Sequence, residues 1–142
     1  MKPSPGLRQN ALNFAKKNGF KFVQIGGGFK DFLNSDIEIA SGVGPAQFLG
    51  LINGAEYIIT NSFHGIALSI NLHKNFYVEY SSDTNSRLIN IIDTFNLNHC
   101  VVKGDLTATS PIKIDYTHVD SILVKLKEKS QLYLKSIIKE AK

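Results

Sequence analysis

His64 is the residue of this chain best suited to chemistry. It sits in the run Thr60, Asn61, Ser62, Phe63, His64, Gly65, between the apolar stretch 56–60 and a helical pattern that follows. An imidazole can donate, accept and carry a proton near neutral pH. A helix that begins at Ser62 leaves its first amides without intrahelical partners and puts the positive end of its dipole there, a setting that favours an anion. Ser62 is of the type that caps such a helix. Gly65 has no side chain, so a ligand or a neighbouring element can come close to the backbone. A second reading stays open on position alone: Ser62 only caps the helix, and His64 is a buried, hydrogen-bonded histidine.

Two other strand-to-helix turns carry residues of the same kind. "SGVGPAQF" offers Gly44 and Pro45 at a helix start, as an anion-binding turn or a plain tight loop. "YSSDTNSRLI" offers Ser81, Ser82, Thr84 and Asn85 as hydrogen-bonding groups, and Arg87 as a permanent cation whose planar fork suits phosphate or carboxylate. Gly26, Gly27 and Gly28 also follow a strand, but with neither the dinucleotide spacing nor a following Gly-Lys-Ser/Thr. His73, His99 and His118 lie far apart with no ligand spacing, so no metal and no cofactor is expected. Cys100 is the single cysteine, which excludes an intrachain disulfide and reads as a small buried hydrophobe.

The elements that must position these residues alternate. Helix is expected from Ser4 and Pro5 to Gly19, with Leu7, Ala11, Leu12, Phe14 and Ala15 inward, then strand over 20–25 and a glycine-rich loop. A weaker strand over 36–40 precedes a helix opened by Pro45. Strand 56–60, helix 62–74, strand 75–80 and helix 85–97 follow, with a last strand at 99–102. An irregular connection leads into a long closing helix from 115. This order predicts an α/β fold, Rossmann-like, with a mainly parallel sheet between two layers of helices in one domain, 1–142. Ligands of such sheets bind beyond the carboxyl ends of the strands, where all three turns would converge.

The bulk properties narrow the class. The 142 residues carry a formal charge of +4, with 43% hydrophobic and 20% charged residues, a balance that suits one globular domain. The excess lysines collect on the closing helix without aromatic stacking groups or a known motif, so no nucleic-acid partner is expected. No apolar run is long enough to span a membrane. The expected location is the cytoplasm, at the inner face of the membrane.

The order of motifs resembles the polysaccharide pyruvyl transferase family. The Thr60–Gly65 sequence, the "GPAQFLGLI" segment before it and "NSRLINIIDTFNL" after it carry the likeness, over about residues 43–97. The resemblance implies the C-terminal lobe of a two-lobed enzyme similar to GT-B glycosyltransferases, with the N-terminal lobe absent. It implies transfer of a pyruvyl group from phosphoenolpyruvate to a pair of sugar hydroxyls, on a saccharide or lipid-linked oligosaccharide acceptor, to form a ketal in surface polysaccharide biosynthesis. By the family's motif His64 becomes the leading donor-site residue, with Ser62 and Arg87 as partners. Some branches have Arg-Leu-His where this chain has Ser62, Phe63 and His64, so the adjacent arginine is missing. A nucleotide-sugar-binding lobe, a non-catalytic anion-binding module and an interaction subunit are the alternatives.

Overall fold

The computed structural model describes residues 5–27, 36–80, 85–108 and 110–140. The expected cap at Ser4, the loop beyond Gly27, and Ser81, Ser82 and Thr84 lie outside the described residues. Helix α1, Pro5–Asn18, leads to β1, Val23–Ile25, and β2, Glu38–Ala40. Helix α2, Pro45–Gly54, precedes β3, Tyr57–Thr60, and α3, Phe63–Asn71. Strand β4, Asn75–Val78, then α4, Asn85–Thr94, and α5, Tyr116–Glu140, complete the order.

The strands pair in parallel, as the alternation with helices predicts. β1 pairs with β2, and β3 with β4 in the register Tyr57 to Asn75 through Thr60 to Val78. Among the described residues these are two separate two-stranded sheets rather than one continuous sheet. The strand expected at 99–102 shrinks to a single bridge between Val78 and Val101. Its cause is visible in the core: Leu97 and Cys100 are both buried, and Cys100 N–H donates to Leu97 O, winding 98–100 into a 3₁₀ turn.

The β3–β4 pair is covered on both faces because its side chains alternate. Ile58, Phe76 and Val78 face the main core, with Ile66 and Ile70 of α3, Leu88 and Ile92 of α4, and Val119 of α5. Tyr57, Ile59 and Tyr77 face the other way, against Phe14 of α1 and Leu106. Phe14 meets Tyr57 and Tyr77 edge-on at 5.3 and 5.4 Å between ring centroids. Each such buried side chain stabilises the fold by about 1.5–3 kcal/mol relative to exposure. The inward residues predicted for α1 are all buried. α5 is covered only in part. Its stripe of Val119, Leu123, Leu126, Tyr133 and Ile137 packs only at the start: Val119 is buried and Leu123 half-buried, but every residue from Val124 to Lys139 is exposed.

Candidate functional site at the start of α3

The turn from β3 to α3 is held by Thr60. Ser62 N–H donates to Thr60 Oγ1 at 3.1 Å, and Glu79 N–H donates to Thr60 O at 3.0 Å, tying the ends of β3 and β4 side by side. Gly65 then lies against Thr60: a Cβ added there would collide with Thr60 Oγ1 and stand 3.0 Å from Thr60 Cβ. The glycine is therefore required by a neighbouring element, the strand that α3 leaves. One turn on, Ser69 Oγ donates to Gly65 O at 2.7 Å, and Ile66, Ser69 and Ile70 anchor the helix in the core.

The expected cap is not formed. Ser62 occupies the N-cap position with extended backbone, φ −110° and ψ 134°, but its hydroxyl makes no capping hydrogen bond. The partners such a hydroxyl needs are the amides of His64 and Gly65, two and three residues on, and it bonds neither. The first amides of α3 consequently find no side-chain acceptor among the described residues. Asn61, just before them, is 93% buried (7% exposed), and its side-chain amide makes no hydrogen bond to a described residue. His64, in the first turn, is exposed, which removes the reading of a buried, hydrogen-bonded histidine. Phe63 is exposed beside it, its ring edge-on to the imidazole at 6.0 Å and 85°.

The other two turns differ from this one. Gly44 is the N-cap of α2 with Pro45 in the first position, and Gln47 folds back so that its Oε1 accepts from Gly44 N–H at 2.7 Å. This half of a capping box satisfies the turn from within, and a Gln three residues after Gly44 was its signal in the sequence. Asn85 begins α4 and Arg87 stands in its first turn, exposed and without an ion-pair partner among the described residues. α4 packs beside α3, as β4 pairs beside β3, so both helices set out from the same edge.

Nothing in the described residues forms a metal centre. His73 Nε2 lies 3.0 Å from Asp120 Oδ1, and His118 meets Asn96 at 3.3 Å. Burial pushes the Cys100 thiol up to about 12, as expected of an inert core cysteine. A cavity of about 250 Å³ opens beside Tyr77, His99, Lys103 and Asp105. The Asp105 carboxyl there is held below its ordinary range by the hydrogen bonds it accepts from the Thr107 amide and hydroxyl, so it is already engaged.

The fold and this turn define an α/β domain with an uncapped helix start at the carboxyl end of a parallel strand. A model of the polysaccharide pyruvyl transferase family matches residues 3–83, more than half of the chain, and the chain belongs to that family. The matched span includes α1 through β4 and all of Thr60–Gly65, and it ends before Arg87. It begins earlier and ends earlier than the motifs read from the sequence. No curated protein and no solved structure matches the chain. Among the described residues no helix is long and apolar enough to cross a membrane.

Proposed function

We propose that the chain is the donor-binding part of a polysaccharide pyruvyl transferase, a Rossmann-like lobe that holds phosphoenolpyruvate at the start of α3. The observation that carries this reading is the absence of a cap where His64 is exposed. A phosphate or carboxylate there takes the hydrogen bonds that Ser62 leaves unmade. His64 and Arg87 supply the charge-assisted hydrogen bonds that a doubly anionic donor needs. The buried Asn61 amide orients the donor from below, and Phe63 borders it. Ser81, Ser82 and Asn85, hydrogen-bonding residue types in the sequence, are assigned to the same site, as are Gly44 and Pro45.

The chemistry follows from the donor. A proton adds to the methylene carbon of the enol, and one sugar hydroxyl bonds to the neighbouring carbon. A second hydroxyl of the same sugar then displaces phosphate and closes the cyclic ketal. His64 gives its proton to the methylene carbon and takes up the one the first hydroxyl loses, a role typically worth ~10²–10⁴ in rate; the second hydroxyl's proton leaves with the phosphate, whose charge Arg87 stabilises. In this reading the acceptor is bound by a second lobe, as in GT-B enzymes, and the chain by itself does not turn over.

Calorimetric titration tests the assignment. Phosphoenolpyruvate should bind the wild type and bind His64→Ala roughly tenfold or more weakly, the loss expected of one charge-assisted hydrogen bond. Equal binding by the two proteins would sink the role of His64. Binding of a nucleotide sugar in place of phosphoenolpyruvate would favour a glycosyltransferase-type lobe.

A further inference from the structure

The second half of α5 is an amphipathic helix with nothing packed on it among the described residues. All residues from Val124 to Lys139 are exposed, although the stretch holds seven large hydrophobic residues at 39–67% exposure. Residues three, four and seven apart share a helix face. Leu126, Tyr133 and Ile137 fall in one line, and Leu134 and Ile138 widen it into a continuous apolar side. Lys125, Lys129, Lys135 and Lys139 gather on the opposite side around Glu128, with Leu132 among them. Lys127 stands within the apolar side, where its stem can lie along its neighbours with the ammonium at the margin. The stretch carries five lysines against one glutamate, so most of the chain's positive excess is concentrated here.

We propose that residues 124–139 bind the surface of an anionic membrane, lying flat with Leu126, Tyr133, Leu134, Ile137 and Ile138 among the acyl chains. Charge decides the occupant. An apolar half opposed to a lysine-rich half is the pattern of helices that lie in a membrane interface, and each lysine near an anionic surface strengthens binding. Pairing with a second copy would instead press Lys127, which stands within the apolar side, into the contact. The helix is about 24 Å long over this stretch and too charged to span.

Co-sedimentation of the full chain with vesicles provides the test. With phosphatidylcholine vesicles containing phosphatidylglycerol the chain should pellet, and with phosphatidylcholine alone at least ~10-fold less, in line with several lysines each acting near the surface. Lys129→Glu with Lys135→Glu, or Ile137→Glu with Ile138→Glu, should reduce pelleting by a similar factor. These side chains touch nothing in the core, so circular dichroism should stay unchanged in the folded body. A chain that remains in the supernatant overturns the proposal, as does equal binding to both vesicles. So does a stable dimer, by sedimentation equilibrium, that Ile137→Glu dissociates.

Discussion

The two ends of α3, a helix of nine residues, are built on opposite plans. The carboxyl end is closed. Leu72, His73 and Lys74 N–H groups each donate back to helix carbonyls, Tyr116 OH donates to Lys74 O at 2.5 Å and to Ser69 O at 3.2 Å, and His73 stacks on Tyr116 at 4.6 Å while pairing with Asp120. The amino end is open: its N-cap serine caps nothing, its histidine faces solvent, and it is held from beneath, by the Thr60–Gly65 contact and the bond from Ser62 N–H to Thr60 Oγ1. A protein that seals one end so thoroughly has the means to seal the other. The difference leaves the amino end as the one whose first amides meet no side-chain acceptor among the described residues.

The comparison rests first on the Thr60–Gly65 contact, and here the largest effect is expected. Gly65→Ala should destabilise by ~3 kcal/mol, the upper part of the range for forcing a methyl group into a filled space. Urea unfolding reads it directly. Thr60→Ala removes the colliding Oγ1 and Cγ2, so the double variant should recover most of the loss, and a double-mutant cycle should show strong coupling. Additive losses would mean that the glycine serves some other end than packing on the strand.

Tyr116 is the corresponding test of the closed end. Tyr116→Phe leaves the carbonyls of Ser69 and Lys74 without their side-chain donor, and the expected cost is ~2 kcal/mol. Alkaline pH attacks the same end. Burial first, then the charges of Cys100 and Asp120, push the Tyr116 hydroxyl up, and burial pushes the Cys100 thiol from 9.0 to about 12. Both groups hold their protons longer folded than unfolded. Their stabilising contribution is thus complete below the unfolded value and lost as pH rises through the folded one. For Cys100 this window runs from 9.0 to about 12. Urea midpoints should fall across it, less steeply in Cys100→Ala; a midpoint that holds level would show that the closed end is not dry.

Much of this arrangement was readable in the residues. Parallel strands alternating with helices followed from the order of apolar runs and turn residues, and the run Thr60 to Gly65 marked the strand end correctly. What escaped was decided between distant residues. Ser62 has the right type and the right position for a cap, but its hydroxyl makes no bond to the first amides of α3. The run 99–102 is rich in strand formers, yet Leu97 and Cys100 had to reach the same core and wound it into a turn. The apolar periodicity of α5 is legible in the residues, and the structure sets its boundary at Leu123: every residue from Val124 to Lys139 is exposed.

The smallest expected effect is the most discriminating. Ser62→Ala should change stability by no more than ~0.5 kcal/mol, as for a side chain with no structural bond, because the Ser62 hydroxyl caps none of the first amides of α3. Gln47→Ala provides the internal reference, since Gln47 Oε1 does accept from the N-cap amide of α2 and its loss should cost ~1 kcal/mol, as caps do. Equal losses in the two variants, measured by urea unfolding, would mean that Ser62 caps α3 in solution and that the amino end is as closed as the other. A loss confined to Gln47→Ala leaves the amides of α3 to a ligand, and then Ser62→Ala should matter only when phosphoenolpyruvate is present.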